Sequence, residues 1–408
     1  MASTPYYNRM LEKVLRRSAS EFPAVVLTGP RQSGKTTLLR HLFGQSHSYV
    51  SVEPPDVRAA AIADPRGFLD LYQPPIILDE IQHAPELLPY IKEWIDEHRN
   101  KAGQFFLTGS QNLLLLNRVT ETLAGRVAML RLLPMSRREA DQNPSAKLPW
   151  ETHASKEVER ALHGAQLWKS FLRGGYPELV AHPKRDANLW HSSYVQTYLE
   201  RDIRSLRQVG DLLAFQSFLR LAASRSGQLF NLSSAARDLG VAVNTVKAWV
   251  SVLEASFQVI VLRPYHANIG KRLVKTPKLY FTDTGTLCHL AGLSDPTHAA
   301  HGPLGGVIFE TAVLAEIIRT LTHRGISPEI YFWRTTAGSE VDLVVAVNGQ
   351  LIPIEIKSSS TPRPAMANGI RTFQDDVRDK SGPGFVVHMG KVRLPLAPNV
   401  TAIPFCDL

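Results

Sequence analysis

Residues 24–36 read AVVLTGPRQSGKT, so that a short apolar run leads directly into the pattern GxxxxGK[ST]. The apolar run is typical of a strand buried on both faces of a parallel sheet, and the following KTTLLRHLF has helical spacing. Glycines in such a loop let backbone N–H groups close around phosphates, and the helix N-terminus adds positive potential. The stretch predicts a phosphate-binding loop for ATP, formed by Gly29, Arg31, Gln32, Ser33, Gly34, Lys35, Thr36 and Thr37.

A second apolar run, PIILDE at 75–80, ends in two acidic residues. We expect Lys35 to reach the β- and γ-phosphates, and the Thr36 hydroxyl and the Asp79 carboxylate to hold Mg²⁺ between them. Glu80 is the candidate catalytic residue that orients or activates the attacking water. A pair of solvated acids at a strand end is the alternative interpretation of Asp79 and Glu80.

The third apolar run is QFFLTGS at 104–110. Helical patterns follow the second and third runs, in PELLPYIKEWIDEH at 85–98 and in QNLLLLNRV at 111–119. This strand–helix alternation predicts an α/β fold with a parallel sheet. Thr108 or Ser110 either senses the γ-phosphate or forms an ordinary turn. Arg126 follows a predicted helix end in LAGR. It is our candidate arginine finger for a neighbouring subunit's nucleotide, which predicts a homo-oligomer, and a surface salt bridge is the alternative.

Composition limits the classes of protein that this chain can represent. With 408 residues, 44% of them hydrophobic, it can bury several cores. Cys288 and Cys406 are the two cysteines, too few for a disulfide scaffold or a cysteine-based zinc site. No apolar run approaches the roughly 20 residues that span a bilayer, and the N-terminus lacks an apolar signal segment. We therefore expect a cytoplasmic protein that does not enter the membrane.

The net charge of +9 is concentrated in one segment. Residues 201–280 contain twelve Lys or Arg and four Asp or Glu, a net of +8, which favours a polyanionic partner such as DNA. Within this segment, residues 232–255 have the pattern of a helix-turn-helix. The first helix is predicted to end at Gly240, and Asn244 is predicted to cap the N-terminus of the second. Runs 257–262 and 278–283 would form a wing. The predicted DNA contacts are Lys247, Lys271, Arg272 and Lys275, and a protein-binding or solvated face is the alternative.

The C-terminal third carries a second set of charged residues. Asp342 lies in EVDLVVAV, a run in which apolar and polar residues alternate as in a strand. Asn348-Gly349 then predicts a hairpin turn. Glu355 and Lys357 lie two residues apart and therefore on one face of the next strand. Across the hairpin, two carboxylates could hold Mg²⁺ or Mn²⁺ while the lysine polarises a water. Glu310, on a preceding helix, could add a further acid. An inherited fold without activity is the rival interpretation.

These motifs together resemble a known family. The N-terminal third resembles the bacterial and archaeal AAA-type ATPases of AAA domain family 14, in the stretches GPRQSGKTTLL, IILDEIQ and LTGSQNLLL…LAGRV. The rest of the chain looks like the DUF4143 domain that accompanies them, in the stretches FLRGGYPELV, FTDTGTLCHLAG, EVDLVV and IEIKSS. The resemblance implies three parts: a P-loop ATPase domain at 1–150, a helical and winged-helix domain at 151–300, and a restriction-endonuclease-like domain at 301–408.

The resemblance also implies roles for individual residues. Glu310, Asp342, Glu355 and Lys357 match the PD-(D/E)xK nuclease pattern, which resembles archaeal Holliday junction resolvases. The segment departs from the pattern in having no second acid beside Glu355, and Pro353 favours an edge strand.

The leading hypothesis is a DNA-directed ATPase with a metal-dependent nuclease domain that acts on branched DNA. The alternative is a regulatory ATP switch whose winged-helix and C-terminal domains bind DNA or protein partners without cleavage. A transcriptional or toxin–antitoxin-type DNA-binding protein is the third interpretation.

Overall fold

The computed structural model describes residues 5–109, 119, 121–151, 162, 164–199, 212–265 and 276–408. These residues fold around two β-sheets, one in the N-terminal third and one that gathers strands from residue 259 onward. In the part of the chain so described, no helix is both long enough and apolar enough to cross a membrane.

The N-terminal sheet is parallel and has five described strands: β1 (Ala24–Thr28), β2 (Ser48–Ser51), β3 (Ile76–Asp79), β4 (Phe105–Gly109) and β5 (Val127–Arg131). Their order is β2-β3-β4-β1-β5. The three predicted strands, β1, β3 and β4, are buried along their whole length, as continuous apolar runs require. Because β4 separates β1 from β3, the phosphate loop and the acidic pair lie at the same sheet edge with one strand between them.

Helices cover both faces of this sheet. Their bounds are Leu11–Glu21, Lys35–Phe43, Pro55–Ala63, Pro65–Leu71, Leu87–Glu97 and Arg137–Ala140, with a 3₁₀ turn at Ile81–His83. Leu38 and Leu39 pack with Leu27 on one face, and Leu87, Leu88 and Ile91 belong to the core of the other. The predicted helices after β1 and β3 are thus confirmed, whereas the predicted helix at 111–119 lies mostly outside the described residues.

The middle of the chain is helical. The bounds are Gly164–Arg173, Pro177–Ala181, Ala187–Tyr194, Leu212–Ser224, Leu232–Leu239, Val243–Ala255, Thr284–Leu290 and Pro296–His301, with a π-helical stretch at Val195–Leu199 and a 3₁₀ turn at Pro149–Glu151. The helix-turn-helix is confirmed, and Gly240 ends its first helix at φ 67°. The predicted cap is wrong: the second helix begins at Val243 after Ala242, so Asn244 already lies within its first turn.

The second sheet has eight described strands: β6 (Val259–Pro264), β7 (Lys278–Phe281), β8 (Glu329–Arg334), β9 (Glu340–Val347), β10 (Gln350–Lys357), β11 (Gly384–His388), β12 (Leu394–Ala397) and β13 (Val400–Pro404). Their order is β12-β13-β11-β10-β9-β8-β6-β7. β6 and β7 pair antiparallel, as the predicted hairpin requires. The hairpin is not a free-standing wing, however, because β6 also pairs with β8 through Arg263 and Pro264. The predicted second and third domains therefore share a sheet.

The prediction that Pro353 marks an edge strand is wrong. β10 pairs with β9 on one side and with β11 on the other. Pro353 is tolerated because β11 pairs with β10 only from Ile354 onward, so the missing N–H falls just before that ladder begins.

Helix Gly305–His323, which we call the long helix, packs against this sheet and is buried along most of its length. The remaining helical elements are Asn368–Val377 and the 3₁₀ turns Pro364–Ala367, Arg378–Lys380 and Phe405–Asp407. Glu316, Arg319 and His323 follow at three- and four-residue spacing along the long helix, and all three are buried. Buried charged residues need polar partners, which come from segments 133–139 and 282–283.

Candidate functional site

The phosphate loop joins β1 to helix Lys35–Phe43, as the sequence predicts. Gly34 stands at the helix N-cap with φ 93°, and Gly29 has φ 146°. A Cβ on Gly29 would lie 2.0 Å from the carbonyl oxygen of Leu132, so this glycine is required by the close approach of the chain after β5. Ser33 is fully buried, whereas Gln32 and Thr37 are exposed at the mouth of the loop.

Lys35 is the cation at the centre of the loop. It is 6% exposed, and its Nζ donates to the carbonyl oxygens of Gly29 and Pro30 at 2.9 Å each. The ammonium group is thereby held inside the curve of the loop, where the backbone N–H groups and the helix N-terminus also converge. The arrangement fits a polyphosphate.

The Thr36 hydroxyl donates to the Asp79 carboxylate at the end of β3. It lies 2.9 Å from Oδ1 and 3.1 Å from Oδ2. The Tyr49 hydroxyl, on β2, donates to Oδ2 at 2.8 Å. A hydroxyl and a carboxylate on neighbouring elements are hard oxygen ligands of the kind that Mg²⁺ prefers, so Thr36 and Asp79 fit this ion.

Thr108 contacts the two acidic residues at the end of β3. Its hydroxyl is fully buried, donates to Asp79 and accepts a hydrogen bond of 3.1 Å from the backbone N–H of Glu80. These contacts hold the two acidic residues in place, and the γ-phosphate role of Thr108 stays a prediction. Ser110, the other candidate, lies outside the described residues.

Glu80 has a left-handed backbone, with φ 59°, directly after β3. The conformation turns its side chain toward the nucleotide pocket, which it lines. The Gln82 side chain donates to Glu80 Oε2 and so orients the carboxylate. The strained φ at a charged residue is typical of functional sites.

The pocket itself is a cleft of about 540 Å³, large enough for a nucleotide. Its wall beyond the phosphate loop includes two further segments. Tyr6 and Tyr7 precede the first helix, Pro177 begins helix Pro177–Ala181, and His182 follows that helix. Pro177 lies in the stretch FLRGGYPELV that resembles DUF4143, but neither segment was predicted to line the nucleotide cleft.

Arg126 forms an ion pair within its own chain. Its Nε and Nη2 donate to the two carboxylate oxygens of Asp96 at 2.7 and 3.0 Å. The pair is partly exposed, with about 30% of each side chain accessible. The geometry matches the salt-bridge interpretation of Arg126, and the arginine finger stays a prediction.

A second site lies between β9 and β10, where the hairpin brings Asp342, Glu355 and Lys357 together. Asn348 and Gly349 have φ 50° and 79°, the left-handed conformations of a tight hairpin turn. Lys357 Nζ lies 2.5 Å from Glu355 Oε1 and 3.9 Å from Asp342 Oδ2. The three side chains line a cleft of about 410 Å³ beside helix Asn368–Val377, and we call it the carboxylate cleft.

The carboxyl groups of the carboxylate cleft have raised pKa values, because they are buried close to one another. Burial, with Asp342 nearby, raises the pKa of Glu355 to about 7. Burial also raises the pKa of Asp342, although Lys357 opposes the shift. Burial lowers the pKa of Lys357, but Asp342 and Glu355 outweigh it and the net shift is upward. Glu355 Oε2 is buried and, within the described structure, has no hydrogen-bond partner. Such a site favours an added cation.

Glu310 does not line the carboxylate cleft, although its carboxylate interacts with that of Asp342. The Tyr280 hydroxyl donates to its Oε1, and Lys278 Nζ lies 3.4 Å from the same atom and 2.7 Å from Glu340 Oε1. Burial and the charge of Asp342 raise the pKa of Glu310 to about 7. Across the residues that the structure describes, no group of three or more His, Cys, Asp or Glu side chains is placed to hold a metal ion. The metal-binding role of Glu310 stays a prediction.

The predicted DNA contacts are only partly within the described structure. Lys247 is exposed on helix Val243–Ala255, whose Val246 and Trp249 are buried. Lys271, Arg272 and Lys275 lie outside the described residues.

Comparison with known proteins places these features in a family. An AAA domain profile matches residues 21–140, a domain of unknown function (DUF8612) matches 164–297, and another (DUF4143) matches 305–408. The uncharacterized proteins Rv2008c of Mycobacterium tuberculosis and Mb2031c of Mycobacterium bovis are each 33% identical over 392 residues, which is 96% of this chain and 82% of theirs.

Two solved structures show weaker likeness. The Walker-type ATPase PABY2304 of Pyrococcus abyssi has a TM-score of 0.45 at 14% identity, over 69% of this chain and 94% of that one. The RuvB Holliday junction branch migration motor of Thermotoga maritima has a TM-score of 0.29 at 15% identity, over 62% and 88%. Both TM-scores are below 0.5.

The AAA domain match and the assembled phosphate loop define the class: the protein is an AAA-type ATPase. It belongs to the same family as the two mycobacterial proteins.

Proposed function

We propose that the protein is a DNA-directed ATPase whose carboxylate cleft cuts phosphodiester bonds in branched DNA. The nuclease activity is supported by the contacts of the Lys357 ammonium with Glu355 and Asp342. It is also supported by Glu355 Oε2, which is buried and, among the described residues, has no hydrogen-bond partner. The net charge of +8 over residues 201–280 supports DNA as the partner.

At the ATP site, Lys35 and the loop N–H groups hold the phosphates, and Thr36 and Asp79 would hold Mg²⁺. Glu80 orients the attacking water, and Gln82 fixes the Glu80 carboxylate. The segments with Tyr7 and His182 line the rest of the cleft and would enclose the base and ribose.

In the carboxylate cleft, Asp342 and Glu355 would hold Mg²⁺ or Mn²⁺, which supplies positive charge and a more acidic bound water. The Lys357 ammonium stabilises negative charge that develops on the phosphate. The backbone N–H of Ile356 donates to Asp342 Oδ2 at 2.8 Å and so orients that carboxylate.

Cleavage of linear, forked and four-way DNA in Mg²⁺ or Mn²⁺ tests this proposal. Wild type should cut at least the four-way substrate, while Asp342→Ala and Lys357→Ala should not. Asp375→Ala, which removes an exposed carboxylate from helix Asn368–Val377, is the matched control and should cut normally. Intact DNA with wild type, or equal cutting by all variants, would reject the nuclease role.

A second candidate is a regulatory ATP switch in which the cleft binds a partner without cleavage. Lys278 favours it, because this buried ammonium already neutralises Glu310 and Glu340 beside the cleft. The switch predicts an ATP hydrolysis rate that does not respond to DNA, whereas the DNA-directed ATPase predicts stimulation.

A further inference from the structure

Arg9, just before the first helix, contacts the phosphate loop and lines the nucleotide cleft. It is 6% exposed, and its Nη1 donates to the carbonyl oxygen of Ser33 at 2.9 Å. A Cβ built on Gly34 would lie 3.6 Å from the same Nη1, so the guanidinium packs directly over this peptide unit. Because the C=O and N–H of a trans peptide point in opposite directions, fixing the Ser33 carbonyl also fixes the direction of the Gly34 N–H.

Glu139 holds the guanidinium in this position. Its Oε1 lies 3.1 Å from Arg9 Nε and accepts the backbone N–H of Met10 at 2.8 Å. Its Oε2 accepts the backbone N–H of Ser136 at 2.9 Å. Glu139 is fully buried, yet Arg9 and His323 outweigh that burial and hold its pKa well below the ordinary value. The carboxylate is therefore charged, and each of its two oxygens accepts one backbone N–H.

His323, the last residue of the long helix, completes the connection. Its Nδ1 lies 3.1 Å from Glu139 Oε2, and its Nε2 accepts the backbone N–H of Leu133 at 3.1 Å. Because Nε2 is an acceptor, the neutral ring carries its proton on Nδ1, facing the carboxylate. The Leu133 carbonyl in turn accepts from Arg9 Nη2 at 2.8 Å. The phosphate loop and the long helix thus share one buried polar network.

We propose that Arg9 is a positioning residue for ATP hydrolysis, which aligns the Ser33–Gly34 peptide with the phosphates and ties the phosphate loop to the end of the long helix. Arg9 does not react. It holds the loop in the form that binds the transition state, and Glu139 and His323 hold Arg9.

Steady-state ATP hydrolysis by variants tests the positioning role at a temperature where circular dichroism shows each one folded. Arg9→Gln should lower kcat/KM by about tenfold or more, because small displacements of positioning groups are costly. Arg9→Lys, which can reach the Ser33 carbonyl or Glu139 but not both, should recover part of the loss. Arg16→Gln removes an exposed arginine from the adjoining helix and should hydrolyse ATP like wild type.

Glu139→Gln separates positioning from a merely structural role. This variant weakens the same buried network but keeps the Arg9–Ser33 hydrogen bond, so its loss of kcat/KM should be clearly smaller than that of Arg9→Gln. Equal losses, or wild-type kcat/KM for folded Arg9→Gln, would overturn the proposal.

Hydrogen exchange in the wild-type protein tests the tie to the long helix without any variant. Addition of a non-hydrolysable ATP analogue with Mg²⁺ should slow exchange of the Leu133 and Met10 amides at least threefold. The Phe385 amide, in β11 and outside the network, should keep its rate. Unchanged exchange at Leu133 and Met10 would overturn the coupling even if Arg9→Gln does not fold.

Discussion

The Tyr49 hydroxyl donates a 2.8 Å hydrogen bond to Oδ2 of Asp79, the carboxylate that faces Thr36. Tyr49 lies on β2, a strand next to β3 that contributes no part of the sequence motifs. Burial and this hydrogen bond raise the pKa of the Tyr49 phenol, so it stays a donor at every physiological pH.

Removing that hydroxyl should loosen the magnesium site. We expect Tyr49→Phe to raise the Mg²⁺ concentration that half-saturates ATP hydrolysis by about tenfold or more, since one hydrogen bond to a charged group contributes roughly 1.5–3 kcal/mol. Titration of the hydrolysis rate with Mg²⁺ measures the effect. Tyr90→Phe, which alters a tyrosine on helix Leu87–Glu97, is the control and should titrate like wild type. An unchanged Mg²⁺ requirement in Tyr49→Phe would contradict this role.

Glu80→Gln should separate ATP binding from hydrolysis. The substitution keeps the shape of the side chain but removes the charge that orients water, so turnover should fall by about 100-fold while the dissociation constant for ATP changes little. Equilibrium binding of a fluorescent ATP analogue, beside turnover, tests both halves. If binding is lost together with turnover, Glu80 is structural.

The sequence predicts the continuous elements well and the long-range polar contacts poorly. β1, β3 and β4 are apolar throughout, and the Asn348-Gly349 turn sets the pairing of β9 with β10. β2, in contrast, is a four-residue strand whose first two residues are exposed, so it carries no apolar signal.

At the site, the motif residues follow β1 and β3 at one edge of the sheet, because parallel strands bring their carboxyl ends to the same edge. The contact of Arg9 with Ser33, and that of Glu139 with His323, join segments that only the folded chain brings together. Isolated charged residues such as these belong to no motif and no periodic pattern, so the sequence does not predict which residues they contact.

The basic segment predicts salt-sensitive DNA binding. Replacing Lys271, Arg272 and Lys275 together with alanine should weaken binding and flatten the slope of log K against log salt by about 2 to 3 units, because each lost phosphate contact removes about one released counterion. Fluorescence anisotropy over a salt series gives the slope. A slope equal to that of wild type would assign these residues to a protein interface or to solvent.

His323 predicts a loss of stability on acidification. Burial lowers its pKa below the ordinary value of 6.5, with Arg9 and Arg319 adding to the shift and Glu139 opposing it. As the pH falls through about 6.5, the unfolded chain takes up a proton that the folded protein resists, so the free energy of unfolding decreases by up to about 1.4 kcal/mol per pH unit.

Denaturant unfolding between pH 7.5 and 5.5 measures this dependence. His323→Gln should reduce the slope by up to one proton, whereas His301→Gln, at an exposed histidine, should keep it. Equal slopes for wild type and His323→Gln would show that other groups cause the acid sensitivity.

The most direct test of the account is ATP turnover in Lys35→Ala. Lys35 Nζ is held between the carbonyl oxygens of Gly29 and Pro30, at the centre of the loop that binds the phosphates. Loss of a preorganised charge at the phosphates should cost about 100-fold or more in turnover. Lys13→Ala, at an exposed lysine on the first helix, should hydrolyse ATP at the wild-type rate. We expect Mg²⁺-dependent hydrolysis in wild type and its loss in Lys35→Ala, and wild-type turnover in folded Lys35→Ala would contradict the role of the phosphate loop.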